Sequence, residues 1–215
     1  MSLRQHLSLP VKQLARAVRF EAKAWVRHAR GTRRARSLTP PLRLHIGAGH
    51  NLKPGWTNVD LDTEGTIHVD LRRRWPFPDG SAEIVYAEHC FEHFRYPLET
   101  GHFLAEAFRA LRSGARISIG VPNAGAALVS YATEDAEGFR IGRELFHPEW
   151  CDTWMHQINY IFRQNGEHHY AYDEETLVRV LEDAGFVHVG SRPFDPDLDQ
   201  GRWQGGTLYV DGVKP

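Results

Sequence analysis

The 215 residues contain only two cysteines, Cys90 and Cys151, and they lie far apart. That scarcity excludes a disulfide framework and any zinc site built on paired thiols. It suits a reducing compartment, and the expected location is the cytoplasm. Long apolar runs are missing too, so no segment reads as a membrane-spanning helix. The N-terminal region lacks the unbroken apolar stretch of a secretory signal, because Lys12, Arg16, Arg19 and Lys23 interrupt it. The dinucleotide fingerprint lacks its third glycine: Gly47 and Gly49 are followed by Leu52 where that glycine belongs. Pro54 and Gly55 leave no room for a normal helix before Thr57, which also argues against a nicotinamide-type site.

What is present fits one α/β domain with a sizeable core. The formal net charge of −1 hides an asymmetry. Residues 1–38 hold ten Lys or Arg, from Arg4 to Arg36, against the single acid Glu21. Leu7, Val11, Leu14, Val18, Trp25 and Val26 recur there at helical spacing, with basic residues at most other positions. The spacing predicts a helix over residues 7–30, interrupted at Gly31 and ended for good by Thr39-Pro40-Pro41. Residues 1–38 are therefore expected as a basic amphipathic arm, and 42–215 as the main domain. Such an arm can dock on the acidic body, lie on an anionic membrane surface or meet another protein. Nucleic acid is the less favoured partner, since no RNA-binding motif accompanies it.

From Leu42 onward short strands alternate with helices, the pattern of a mostly parallel sheet. Strands are expected at 42–47, 57–61, 67–71, 84–87 and 116–121. A helix is expected from Leu98 to Leu111, where Phe103, Leu104, Ala107 and Phe108 share a face. Asp173 should cap a helix running to Ala184, and residues 186–192 and 207–211 should close the sheet as a pair. Residues 124–170 show no clear period and are rich in aromatics.

In an open parallel sheet, ligands bind beyond the carboxyl ends of the strands. Gly47-Ala48-Gly49 follows the first strand, and its glycines let a ligand approach the backbone. Asp60 ends the second strand, where a carboxylate can accept from a ribose diol. Asp70 ends the third, placed to accept from an adenine amino group. Glu88-His89 and then Glu92-His93 follow the fourth, and Pro122-Asn123 follows the fifth.

This ordered series resembles the class I S-adenosylmethionine-dependent methyltransferases, and within them a bacterial branch associated with surface-polysaccharide synthesis. The residues that carry the likeness are Leu44 to Gly49, Pro54 to Asp60, Val69-Asp70-Leu71, Pro76 to Ser81, Val85 to His89, Glu92-His93 and Val121-Pro122-Asn123. A later segment around Asn159, Phe162, His168-His169, Tyr172-Asp173 and Ala184-Gly185-Phe186 belongs to it as well. One departure is Ser113-Gly114-Ala115, where many relatives carry Pro-Gly-Gly. The resemblance implies a three-layer, Rossmann-like α/β fold, mostly parallel with an antiparallel terminal strand. It implies S-adenosylmethionine as cofactor, held by Gly47, Ala48, Gly49, Asp60, Asp70, Leu71 and Glu88. It further implies methyl transfer to a glycan or glycan precursor, with a small metabolite, a nucleic acid or a scaffolding role for membrane glycosyltransferases as the alternatives. The arm then becomes a peripheral contact at the inner membrane face or with a glycosyltransferase.

For catalysis His89 is the first candidate, because an imidazole titrates near neutrality and can take a hydroxyl proton. His168 and His169 stand behind it, and Glu92 orients a histidine. His93 is expected to pack inside, bonded to backbone. His147, His156, His168 and His169 fit no metal spacing among themselves, so no metal is expected. Residues 124–170 are expected to form the lid that selects the acceptor, its aromatics shared between core, lid packing and sugar stacking.

Overall fold

The structure, a computed structural model, describes residues 9–215; Arg4 and Leu7 of the arm lie outside the described residues. Seven strands form one sheet in the order β3-β2-β1-β4-β5-β7-β6. They are β1 (Leu42–Ile46), β2 (Thr57–Asp60), β3 (Ile67–His68), β4 (Ala82–Glu88), β5 (Leu111–Pro122), β6 (Val187–Arg192) and β7 (Thr207–Val213). The first five run parallel, and β7 lies antiparallel between β5 and β6. The expected α/β sheet with its antiparallel terminal strand is therefore present. The last strand in the chain fills an interior position.

Strand alternation divides the sheet into two unlike faces. Leu44, Ile46, Val85, Ala87, Ile117, Ile119 and Val210 share one core cluster. Phe103, Leu104 and Ala107 of α2 (Leu98–Ala110) join it, as do Leu177 and Leu181 of α6 (Glu174–Asp183). Asp173 caps α6 by accepting from the Thr176 amide, as its sequence position predicts. The intervening positions carry His45, Tyr86, Ser118 and Tyr209, all buried and all able to hydrogen-bond. The groups that meet this second face come from β6 and from the loops around residues 53 and 198–199. Tyr86 donates to Asp199 at 3.1 Å, Lys53 donates to the Leu198 carbonyl, and Arg192 reaches Ser118, Asp199 and Asp211. Burial holds the His45 imidazole neutral, with a pKa lowered to about 4.

The arm is one helix, α1 (Leu9–Ala35), and it does not stop at Gly31. Gly31 sits where α1 crosses β3: a Cβ there would stand 1.8 Å from the His68 carbonyl oxygen. The glycine serves close approach and not helix termination. Ala24 and Ala35 are buried on the same side. Glu21 pairs with Arg72 at 2.8 Å, and Arg27 with Asp62 at 2.6 Å. The other side of α1 leaves Val11, Leu14, Val18 and Trp25 exposed. No described helix is long and apolar enough to cross a membrane.

Residues 124–170, patternless in sequence, fold into three short helices and irregular turns over the carboxyl edge of the sheet. The helices are α3 (Ala124–Ala132), α4 (Ala136–Ile141) and α5 (Trp154–Arg163). Asn123, Asp135 and Thr153 cap them through side-chain oxygens.

Candidate active site

A cavity of about 1040 Å³ opens at the carboxyl ends of β1, β4 and β5, beneath α3–α5. Gly47, Ala48, Gly49, Glu88, His89 and His168 all line it. The first wall follows from local geometry. The Ala48 amide bonds the Val59 carbonyl at 3.0 Å, which draws the loop over β2. Gly47 and Gly49 both take positive φ, +66° and +48°, a region that side chains with a Cβ rarely adopt. At Gly49 no atom lies within 4 Å of a Cβ position. The Asp60 carboxylate fastens this loop: it accepts from the Gly49 amide at 3.1 Å and from the Asp62 and Thr63 amides at 2.8 and 3.0 Å. A carboxylate offers about four acceptor sites, so Asp60 keeps capacity for a ligand hydroxyl.

Glu88 is buried at the end of β4. It accepts from the Tyr209 hydroxyl and the Gln200 side-chain amide, each at 2.9 Å. His89 follows with φ +51°, a left-handed backbone that costs about 1 kcal/mol for a non-glycine residue. Its ring faces Trp203 at 4.4 Å, and its Nε2 meets the Thr207 hydroxyl at 2.9 Å. Glu92 lies on the turn Phe91–His93 and is 2% exposed. Its Oε1 stands 3.5 Å from His89 Nδ1 and 3.9 Å from His168 Nε2, yet neither carboxylate oxygen has a hydrogen-bond partner. Burial works to raise the Glu92 pKa, and His89 and His93 outweigh it to leave it lowered. Burial lowers the His168 pKa.

Four of the expected positions are outside the lining: Asp60 stands behind the glycine loop it fastens, and Asp70, Leu71 and His169 lie elsewhere. Asp70 does not line the cavity. Its carboxylate is buried in ion pairs with Arg72 at 2.9 Å and Arg73 at 3.1 Å, and its amide bonds His28 of α1. It ties the arm to the sheet edge, and neighbouring Leu71 packs on the core. His169 is exposed and only its backbone amide points inward, to the Glu92 carbonyl at 2.9 Å. Nor do the four later histidines assemble: His156 pairs with Asp152 and His147 packs on Tyr160.

The sequence reading missed the wall supplied by the β6–β7 connection, with Gln200, Arg202, Trp203 and Gly206. It passed over His147 and Gln157 as lid residues that line the cavity. Of the lid aromatics, Trp154 and Tyr160 line the cavity, Trp150 is exposed, and Tyr172 is core.

A family model described as a methyltransferase domain matches residues 24–190, starting within α1. No curated protein sequence matches the chain. Among solved structures, an S-adenosylmethionine-dependent methyltransferase from Thermotoga maritima is 14% identical, with 94% of this chain and 96% of that one covered at a TM-score of 0.48. The phosphoethanolamine N-methyltransferase 2 of Haemonchus contortus, solved with S-adenosyl-L-methionine, is 13% identical, with 89% and 53% covered at a TM-score of 0.47. Likenesses this distant carry neither an acceptor nor a residue's role to this chain.

Proposed function

The chain belongs to the methyltransferase-domain family, an S-adenosylmethionine-dependent enzyme by that membership, and on this premise we propose that it methylates a hydroxyl oxygen of a glycan or glycan precursor. The observation that carries the proposal is the two-sided cavity. Glycine backbone and carboxylates line its sheet side, and aromatic and amide groups of the lid line the other. The sheet side suits the donor: an open Gly49, a buried Glu88 and, behind the glycine loop, an Asp60 with acceptor capacity. The lid offers Trp154 and Tyr160 as flat faces with Gln157 beside them, and the β6–β7 connection adds Trp203 and Arg202. Flat apolar faces interleaved with hydrogen-bonding groups match the alternating character of a sugar ring.

Bound S-adenosylmethionine supplies an electrophilic methyl on a sulfonium sulfur. Gly47, Gly49 and Glu88 would hold it, and the acceptor hydroxyl would give up its proton to a base of the chain. The chain's own work is alignment and proton acceptance. His89 is the preferred base, since Thr207 and Trp203 fix its ring at the cavity wall.

Calorimetric titration tests the donor half. Micromolar binding of S-adenosylmethionine and S-adenosylhomocysteine, but not NAD or ATP, is expected, weakened about tenfold or more by Asp60→Ala, for a loss of about 1.4 kcal/mol. Wild-type protein that is folded yet binds neither would overturn the reading. Turnover on nucleotide sugars or lipid-linked glycans, set against small alcohols and RNA, then tests the acceptor class.

For the arm we infer a peripheral contact with an anionic membrane. The exposed Val11, Leu14, Val18 and Trp25 form a stripe along one side of α1, and Lys12, Arg16, Arg19 and Lys23 lie on another side of the same helix, Lys23 paired with Asp62 at 2.7 Å. Cosedimentation with vesicles containing phosphatidylglycerol should fall several-fold for Val18→Asp with Trp25→Asp, and also at high salt. Equal sedimentation of wild type and variant, or none by either, would defeat it.

A further inference from the structure

We propose that Glu92, His93 and His168 bind one divalent first-row transition-metal ion, of the zinc(II) type, at the floor of the cavity. The role given to the ion rests on the methyltransferase reading above; its binding does not.

The first observation is the orphaned carboxylate. Glu92 is 2% exposed and both its oxygens lack a hydrogen-bond partner. A buried charge is strongly disfavoured unless it is paired or coordinates a metal. The second is convergence. One ligand atom each from Glu92, His93 and His168 lies within 4.8 Å of the others. Two ligands sharing an ion at about 2.1 Å stand about 3.4 Å apart at the tetrahedral angle. The Glu92 Oε1 to His168 Nε2 distance of 3.9 Å needs only a small closure to reach that.

The third observation concerns protons. His93 Nδ1 lies 3.0 Å from the Glu167 carbonyl, and His168 Nδ1 lies 2.6 Å from the Ile161 carbonyl. A carbonyl only accepts, so each Nδ1 carries the proton and each neutral ring keeps a lone pair at Nε2. Backbone carbonyls holding Nδ1–H in this way are the usual outer support of metal-binding histidines. The Glu92 carboxylate and the His93 and His168 rings thus bring acceptor atoms to one point. A cation between them satisfies all three.

Two imidazoles and one carboxylate make a nitrogen–oxygen set that suits zinc, iron or nickel, and not the all-oxygen preference of calcium or magnesium. Glu92, His93 and His168 all line the cavity, so the ion keeps an open side toward the acceptor. There it would polarise an acceptor hydroxyl and ease loss of its proton to a base of the chain.

The test uses the full chain after chelation, with circular dichroism to establish folding and S-adenosylhomocysteine titration to establish the donor site. Titration with Zn²⁺ should show one equivalent bound at micromolar affinity or tighter, and Co²⁺ should give the visible bands of a low-coordinate nitrogen–oxygen site. Glu92→Gln, His93→Ala and His168→Ala should each weaken Zn²⁺ binding about tenfold or more. His169→Ala, at the exposed neighbour, should leave it unchanged. Absence of stoichiometric Zn²⁺ binding in folded protein overturns the site, as does binding that survives His168→Ala. If S-adenosylhomocysteine also fails to bind, the methyltransferase reading falls separately, and the Zn²⁺ titration still decides the metal site.

Discussion

Alanine at position 47 is expected to abolish donor binding and to destabilise the fold at once. Its Cβ would stand 2.4 Å from Cys90 Sγ and 2.6 Å from Cys90 Cβ, at a φ of +66°. The backbone conformation alone costs about 1–2 kcal/mol for a residue with a Cβ. The clash cannot be relieved by a flexible tip, because Cys90 is itself buried between the cavity floor and the core. The loop must therefore move, and with it the Gly49 amide that Asp60 holds. We expect affinity for S-adenosylhomocysteine to fall at least about 100-fold, about 2.7 kcal/mol, together with a clear drop in melting temperature. Gly49→Ala supplies the contrast. No atom lies within 4 Å of a Cβ there, so stability should fall only by about 1 kcal/mol while binding still suffers. Calorimetry and thermal melts on both variants check this. Equal behaviour of the two would show that Cys90 is not the constraint.

Arg192→Met should be the most damaging change remote from the cavity. Arg192 joins β6 to the polar face of the sheet through Asp199 at 2.6 and 2.8 Å, Asp211 at 2.9 Å and Ser118 at 2.9 Å. The Asp199 side chain is fully buried. Removing one partner of a buried pair leaves the other charge uncompensated, at about 3–5 kcal/mol. For a domain of this size that is about 10 °C in melting temperature. Adding Asp199→Asn should restore part of the loss. Urea melts of the single and double variants test this, and a loss that is not restored would point to packing instead.

The strand ends were legible because each carries its chemistry in sequence: a glycine pair after β1, a carboxylate after β2, Glu88-His89 after β4. Asp70 misled because position alone made it look like a ligand group. Its fate is set by Arg72, Arg73 and a helix more than forty positions upstream. Gly31 reads as a helix break until β3 is seen beneath it. The lid helices are short and held by caps and by the sheet edge, so no long apolar period marks them. The Glu92 cluster had half a signal. His89-x-x-Glu92-His93 is a spacing that metal sites can use. His168 lies 75 residues beyond His93 and arrives only through the fold, where residues 169 and 170 bond the Glu92 carbonyl.

The position of β7 bears on how the protein is made. It is the last strand in chain order, yet it supplies Tyr209 to Glu88 and Thr207 to His89. The residues of the other six strands all precede it in the chain, and in the sheet it is the strand that joins β5 to β6. A nascent chain halted before residue 207 therefore holds the glycine loop and every histidine of the site, but lacks the strand that fixes their partners. The site is therefore complete only once residues 207–213 are in place, because they alone bring Tyr209 to Glu88 and Thr207 to His89.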